Sequence, residues 1–186
     1  IYSTYYIAME YVQGRTLADI LQRHESLTVL QACDIAIDIA AALAEAHKAG
    51  VAHRDIKPAN VIVSATGVVK VADFGIARAI GASVEQGLTQ TGAVMGTATY
   101  FSPEQAQGAQ PDPRSDLYSL GVIMYEMLAG VPPFGGENAI AIAYKQVHDK
   151  PVALRAKNPD ISPAFNAIVM KCLEKNPQRR YRSEEH

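Results

Sequence analysis

The sequence predicts a single α+β domain that is mainly α-helical and carries one short β-hairpin. Apolar residues recur every three or four positions along most of the chain, a spacing typical of helices. Two β-branched runs, "VIVS" and "VVKV", flank the turn "ATG" and predict the hairpin. With 186 residues and an apolar fraction of 48%, the chain is large enough for one buried core.

The composition excludes several classes of partner. A formal net charge of -2 gives no electrostatic reason to expect binding to nucleic acid or to an anionic membrane surface. No apolar run reaches the roughly 18 residues that a bilayer-spanning helix needs. Cys33 and Cys172 fall within helical patterns and match neither a zinc nor a redox motif. We therefore expect buried, reduced thiols and a cytoplasmic location.

The first half of the chain is predicted to begin with a strand, "YYIAMEYV", that Gly14 ends. A helix follows from Thr28 to Lys48, with Thr28 as its N-cap and Gly50 closing its C-terminal end. Additional apolar positions around Ile37 widen the apolar face of this helix. We therefore expect it to be largely buried, with the hairpin next along the chain.

The second half begins with residues 80–96, which are small and polar, as in functional or disordered loops. "SDLYSLGVIMYEMLAG" then predicts a central helix that is apolar on nearly all sides but interrupted by Asp116 and Glu126. Asp116 could simply cap the start of this helix. Amphipathic helices follow, and Ser162 with Pro163 begins the last of them. The basic cluster "NPQRRYR" is predicted to be a solvated face with one buried arginine.

Polar side chains border the apolar runs of the segment 51–75 and predict a reaction site. Asn60 precedes "VIV" and Asp73 follows "VVKVA", and their oxygens suit Mg²⁺ together with phosphate oxygens. Asp55 could accept a proton from a hydroxyl, and Lys57 could neutralise charge on a transferred phosphoryl group. A base, a cation and metal ligands together favour phosphoryl transfer over hydrolysis.

Five motifs in this chain resemble those of eukaryotic-type protein kinases. "HRDIKPAN" (53–60) and "DFG" (73–75) resemble the catalytic loop and the metal-binding motif. "GTATYFSPE" (96–104) resembles the end of the activation segment, with Ser102 where alanine is usual, a change expected to cost little. "SDLYSLG" and "NPQRRY" resemble the central helix and a late helix. The motif sequences are most similar to those of bacterial serine/threonine kinases, many of which are receptors with extracellular PASTA repeats. It implies a protein-kinase-like fold, mainly the α-helical large lobe, with the small lobe largely missing.

The resemblance implies a catalytic role for each polar residue. Asp55 would be the base, or the residue that positions the substrate hydroxyl, and Lys57 would contact the transferred phosphate. Asn60 and Asp73 would hold Mg²⁺, with Mn²⁺ as an alternative ion. ATP would be the phosphoryl donor, and serine and threonine side chains of proteins would be the acceptors.

The resemblance also places the nucleotide. Met9 would be the gatekeeper, and the hinge that meets adenine through its backbone would be Glu10, Tyr11 and Val12. Ile62 would pack beneath the adenine ring.

Regulation is implied by Arg54, which is followed directly by the expected base. A phosphate on the activation loop could bind its guanidinium and order the loop, and Thr89 and Thr91 are the candidate acceptors. Thr97 together with Lys57 favours serine/threonine over tyrosine specificity. A homodimer for autophosphorylation in trans is expected of the family.

Four further residues are expected to be structural. His53 would be scaffold rather than base, Glu104 would pair with Arg180, and Asp116 would accept hydrogen bonds from the catalytic-loop backbone. The other histidines, His47 among them, lack metal-ligand spacing and are expected at the surface.

The resemblance assigns residues 1–14 to the last small-lobe strand and hinge and residues 15–186 to the large lobe. The activation segment would run from 73 to 104. The family's glycine-rich loop and strand lysine do not occur in the sequence. We therefore expect a segment truncated at both ends and nearly inactive alone, whose parent could be a single-pass membrane protein. The alternatives are a pseudokinase remnant that binds nucleotide or protein, and a small-molecule phosphotransferase.

Overall fold

Helices form most of the protein, and the computed structural model describes residues 8–24, 27–74 and 98–183. Within these ranges the mainly α-helical α+β class is confirmed. The helices are α1 (Leu17–His24), α2 (Val29–Lys48), α3 (Pro103–Ala106), α4 (Pro113–Ala129), α5 (Ala139–His148), α6 (Leu154–Lys157) and α7 (Pro163–Cys172). The strands are β1 (Gly14–Thr16), β2 (Val61–Ser64) and β3 (Val69–Val71), and 3₁₀ turns lie at Pro58–Asn60 and Pro177–Arg179.

The three strands form an antiparallel sheet in the order β1-β2-β3. The predicted hairpin is confirmed as β2 and β3. The predicted strand "YYIAMEYV" is wrong for residues 8–12, which have no regular structure, and its first three residues lie outside the described part. Gly14 begins β1 instead of ending a strand. A Cβ at this position would lie 2.5 Å from the backbone oxygen of Val63 on β2. Glycine is thus needed where the two strands approach each other closely.

Helix α2 has the ends that the sequence predicts. The Thr28 side chain accepts a hydrogen bond from the backbone of Gln31, whose side chain bonds back to Thr28, which completes a capping box. Gly50 follows the C-cap in a left-handed conformation, at φ 75°. The expectation that α2 is largely buried is wrong. Ile35 and Ile39 are buried, but Ile37 between them is 65% exposed. Residues two positions apart on a helix point in different directions, so the buried face of α2 is narrow.

Helix α4 runs through the middle of the core, and every residue from 115 to 125 is buried. It packs against α2 on one side and α7 on the other. Its N-cap is Asp112, which accepts from the backbone of Arg114, so the alternative that Asp116 caps this helix is wrong. Among the described helices, none combines the length and the apolar composition that crossing a bilayer requires.

The remaining helices begin with side-chain caps, Asn138 for α5 and Ser162 for α7, the latter as predicted. Both cysteines are free thiols. Cys172 is buried, and burial raises the pKa of its thiol to about 12, whereas Cys33 is only half-buried, contrary to the expectation. Residues 80–96, predicted to be a loop, lie outside the described part of the chain.

Helices α4 and α7 approach each other closely at Gly121. A Cβ at this position would lie 2.7 Å from Cβ of Cys172, so we expect Gly121→Ala to lower the free energy of unfolding. The net loss should be about 1–2 kcal/mol, since strain outweighs the gain in helix propensity. Urea unfolding measures it. The control is Gly135→Ala, whose Cβ would meet no atom within 4 Å. Unchanged stability of Gly121→Ala would show that α7 can shift.

Candidate active site

The loop of residues 53–60, called the catalytic loop here after the motif that it resembles, brings a carboxylate, an ammonium group and an amide together. Lys57 Nζ lies 2.7 Å from Asp55 Oδ2. Asn60 Nδ2 donates to the backbone oxygen of Asp55 at 2.8 Å and to its Oδ2 at 3.2 Å. The Asp55 side chain remains 34% exposed. The carboxylate is therefore fixed from within the loop and still accessible to a substrate hydroxyl.

Asp116 of α4 fixes the backbone of this loop from below. Its Oδ2 accepts from the backbone N–H of His53 at 2.8 Å, and its Oδ1 accepts from that of Arg54 at 2.7 Å. These are the contacts that the family resemblance implied. The carboxylate is only 1% exposed, and charge-assisted hydrogen bonds in such surroundings are strong. They hold Arg54 at φ 68°, a conformation that costs a residue with a side chain about 1–3 kcal/mol.

His47 also binds Asp116, which the sequence reasoning missed. Its Nε2 lies 2.8 Å from Asp116 Oδ2, and its side chain is 9% exposed, so the expectation of a surface histidine is wrong. A signal was available: Ile39, Leu43 and His47 follow one another at intervals of four on α2, and the first two are fully buried. Residues at this spacing share one face of a helix, here the face that contacts α4.

His53 connects the catalytic loop to the end of β3. Its Nδ1 accepts from the backbone of Asp55 at 3.3 Å, and its Nε2 donates to the backbone oxygen of Ala72 at 2.9 Å. The ring lies 4.6 Å from that of Phe74 between centroids. A buried imidazole with both nitrogens engaged is suited to a scaffold and not to proton transfer with a substrate.

The two expected metal ligands lie at neighbouring strand ends. The backbone N–H of Ala72 donates to the backbone oxygen of Asn60 at 2.8 Å, so Asp73 follows directly beside Asn60. Because Nδ2 of Asn60 is engaged by Asp55, its Oδ1 is the atom suited to a cation. Asp73 is exposed and has a φ of 62°, a strained conformation of the kind found at functional sites. The amide oxygen of Asn60 and the carboxylate of Asp73, both at the same end of the hairpin, are hard oxygen donors of the kind that Mg²⁺ prefers.

The expected nucleotide-binding residues lie beside the hairpin. Met9 and Tyr11 are exposed and Val12 is half-buried. Glu10 forms an ion pair with Lys70, 2.5 Å long, and Lys70 is the register partner of Ile62 across the hairpin. The structure therefore brings the segment 8–13 to the hairpin that carries Ile62.

The segment that begins at Ala98 is bound to the catalytic loop. Gln105 Nε2 donates to the backbone oxygen of Arg54 at 2.7 Å, a contact that sequence reasoning missed. Ser102 caps α3 and exchanges hydrogen bonds with Gln105. The replacement of alanine by serine was expected only to cost little, but the serine hydroxyl has a structural role. The pattern S-x-x-Q of a capping box was the available signal. Thr89, Thr91 and Thr97 lie outside the described residues.

Glu104 and Arg180 form the expected ion pair. Arg180 Nη1 and Nη2 donate to the two carboxylate oxygens at 2.7 and 2.8 Å. Burial alone would raise the pKa of Glu104, but hydrogen bonds from Arg180 and Ser115 outweigh burial and hold that pKa below its ordinary value. Arg180 is the single buried arginine of its cluster, as predicted.

A cavity of about 280 Å³ adjoins the catalytic loop. Pro58, Tyr100 and Glu126 are among its lining residues. Tyr100 Oη donates to Glu126 Oε2 at 2.7 Å, and burial raises the pKa of the Glu126 carboxyl group above its ordinary value. The cavity is thus bounded by both the catalytic loop and the segment that follows Ala98.

Comparison with known proteins agrees with this geometry. A family model described as protein kinase domain matches residues 2–186. The chain is 48% identical over 178 residues to serine/threonine-protein kinase PknB of Mycobacterium tuberculosis, covering 96% of this chain and 28% of that protein. It is 51% identical to the probable serine/threonine-protein kinase SCO3848 of Streptomyces coelicolor and 46% identical to the probable serine/threonine-protein kinase CPE1738 of Clostridium perfringens. Each of these alignments covers 96% of this chain and 26% of the relative.

The chain spans about a quarter of the length of the curated relatives it matches. The family model, however, matches almost all of this chain. The chain belongs to the protein kinase domain family.

Proposed function

We propose that the protein containing this chain is an ATP-dependent serine/threonine protein kinase. The observation that carries the proposal is the Asp55 carboxylate, which lies against Lys57 Nζ and Asn60 Nδ2 on a loop anchored by buried Asp116. Such an arrangement offers a proton acceptor and a cation to one reacting group, which is the requirement of phosphoryl transfer to a hydroxyl. The names of the relatives support the same chemistry for this protein.

In the proposed reaction a serine or threonine hydroxyl approaches the exposed side of the Asp55 carboxylate. The hydroxyl oxygen forms a bond to the γ-phosphorus of ATP as the bond to the bridging oxygen of ADP breaks, and the hydroxyl proton passes to Asp55. Lys57 stabilises the charge on the transferred group. Asn60 Oδ1 and the Asp73 carboxylate would hold Mg²⁺, which when bound neutralises phosphate charge. Because little covalent chemistry falls to the protein, holding these groups in place is its main contribution.

The proposed adenine site is the edge of the hairpin. The backbone of Glu10 to Val12 would contact the base, and Ile62 would pack beneath it, with Met9 at the back. The ion pair between Glu10 and Lys70 of β3 supports this placement.

The proposed regulation uses Arg54. Its side chain is exposed, while its backbone is held by Asp116 and Gln105. A phosphate on Thr89 or Thr91 would bind the guanidinium group and act directly on the residue before the base. The same proposal includes autophosphorylation in trans within a homodimer and a role for Thr97 in the choice of serine or threonine acceptors. It also places the boundary between the hinge and the large lobe near residue 14.

The test is intact-mass spectrometry after incubation with Mg-ATP, on this chain and on a form extended at its N-terminus by its natural coding sequence. We expect phosphate on the extended form only, because positioning of the nucleotide is most of the catalysis and this chain has no glycine-rich loop. Asp55→Asn should abolish the gain. Asp160→Asn, at an exposed acid on the loop before α7, should not change it.

Phosphate on neither form, with both folded, would contradict the kinase proposal and favour a pseudokinase. Phosphate transfer by this chain alone at a rate usual for kinases would contradict the expected inactivity.

A further inference from the structure

A chain of buried hydrogen bonds runs from Lys175 to the backbone of Thr99. Lys175 Nζ donates to Tyr118 Oη at 3.2 Å, and Tyr118 Oη donates to Gln146 Oε1 at 2.6 Å. Gln146 Nε2 then donates to the backbone oxygen of Thr99 at 2.6 Å. Tyr118 and Gln146 are fully buried. These four residues, named here the Lys175 relay, connect the loop after α7 with α4, α5 and the segment that begins at Ala98.

The ammonium group of Lys175 sets the direction of the relay. It has donors only, so Tyr118 Oη must accept from it and turn its own proton toward Gln146. That proton fixes Oε1 of Gln146 as the acceptor and leaves the amide NH₂ facing Thr99. Each bond in such a series polarises the next. The backbone oxygen of Thr99 only accepts and therefore keeps the Gln146 amide in this orientation. Neutral replacements of Lys175 would instead weaken the two bonds that follow it.

Lys175 is itself held firmly. Nζ also donates to the backbone oxygen of Gln146 at 2.7 Å and lies 4.1 Å from the centre of the Phe134 ring. Burial lowers the pKa of Lys175 to about 8. A partly buried charge is stabilised by such partners, so Lys175 Nζ has a defined position in this cluster.

The segment that follows the far end of the relay contacts the catalytic loop. After Thr99, the backbone oxygen of Tyr100 accepts from Ser119 Oγ at 2.7 Å, and Gln105 binds the backbone oxygen of Arg54. The Tyr100 side chain lines the cavity shared with Pro58. Under the proposed function, an acceptor peptide that brings its hydroxyl to Asp55 would pass along this segment. The relay therefore holds the first residues of a segment that would border a bound acceptor peptide.

We propose that Lys175 is a positioning residue that acts through Tyr118 and Gln146 on the Thr99 backbone and so sets the geometry of the acceptor-peptide side of the site. The expected effect on the acceptor peptide rests on the proposed kinase function. The expected effect of Lys175 on the Thr99 backbone does not.

The first experiment follows amide hydrogen exchange at residues 98–101 in this chain. Tyr118→Phe removes only the hydroxyl that joins Lys175 to Gln146, and Lys175→Met removes the ammonium group while keeping the stem. We expect exchange there to become about tenfold faster in both variants, since local opening becomes easier when the relay is cut. The control is Lys171→Met, an exposed lysine whose Nζ lies 4.0 Å above the Tyr181 ring outside the relay, and its exchange should match the wild type.

The second experiment measures kinetics in the N-terminally extended form. Both relay variants should raise KM for an acceptor peptide about fivefold while KM for ATP stays unchanged. Equal rises in both KM values would reveal a merely structural role, and an unchanged peptide KM would show that the segment is not used in acceptor binding. Either result overturns the proposal.

The two experiments separate this inference from the kinase proposal. Unchanged exchange at 98–101 in Tyr118→Phe rejects the relay whatever the activity, and this variant decides alone if Lys175→Met does not fold. Faster exchange without phosphate transfer in any form would reject the kinase function and with it the effect on the acceptor peptide, leaving only the structural part.

Discussion

Replacing Arg180 with methionine is expected to lower the free energy of unfolding by about 3–5 kcal/mol, the range for breaking a buried ion pair from one side. The Arg180 side chain is fully buried and donates to both oxygens of Glu104. It also donates to the backbone oxygens of Arg114 at 2.8 Å and Glu174 at 2.8 Å. A methionine could fill much of the volume but would leave the Glu104 carboxylate and these oxygens without their donor.

The loss should depend on pH in a defined direction. The pKa of Glu104 is held below its ordinary value in the folded protein, so the pair stabilises the fold above the ordinary carboxyl pKa, about 4.3. That contribution disappears as pH falls through the lowered pKa, because the folded state must then take up the proton that the unfolded state already holds. The difference in unfolding free energy between wild type and Arg180→Met should therefore become smaller in acid, down to the part contributed by the bonds to backbone oxygens.

Urea unfolding at a series of pH values measures both effects. The control is Arg179→Met, at the exposed neighbour, whose stability and pH dependence should match those of the wild type. A difference between wild type and Arg180→Met that stays constant down to the lowest accessible pH would show that the charge of Glu104 contributes nothing, and that the arginine acts through packing and its bonds to backbone oxygens.

The parts of the fold that the sequence predicted are those decided by neighbouring residues. Helix α2 begins where Thr28 can cap it and ends before Gly50, and α4 is apolar on nearly every side. Asp55 and Asn60 were predicted because their chemistry is visible within a few positions of the chain. In each case the pattern and its partner lie in one short segment, so no knowledge of the tertiary structure was needed.

The missed features depend on partners far away in the chain. His47 and Asp116 are separated by 69 positions, and Gln105 lies 51 positions from Arg54, so no local pattern records either contact. Strand β1 was misplaced for the same reason. Pairing with β2 selects the residues from Gly14 onward, although the aromatic run before them has the higher strand propensity.

Asp116→Asn is expected to lower kcat of the N-terminally extended form roughly 100-fold, the effect of a misplacement of about 1 Å at a catalytic group. Asparagine has one oxygen where aspartate has two, while the backbone N–H groups of His53 and Arg54 each need an acceptor. The NH₂ group of the new residue would face one of these donors. The bond from its N–H to Asp116 helps to hold Arg54 in a left-handed conformation, so loss of that bond should allow Arg54 to relax.

Relaxation at Arg54 moves the next residue, which is Asp55. The carboxylate would leave its position against Lys57 and Asn60, so the chemical step should suffer while binding of ATP at the hairpin edge changes little. We therefore expect a fall in kcat with a nearly constant KM for ATP. Amide exchange at His53 and Arg54 should also become faster, a readout that does not depend on activity.

The matched control is Asp112→Asn, the same chemical change at the N-cap of the same helix. Asparagine caps helices about as well as aspartate, so stability and kcat should stay near their wild-type values. A fall in kcat for both variants would mean that α4 as a whole, and not the bonds from Asp116 to the loop, sets the position of Asp55. An unchanged kcat for Asp116→Asn would mean that the 3₁₀ turn at Pro58–Asn60 and the bonds from Asn60 to Asp55 hold the carboxylate without help from α4.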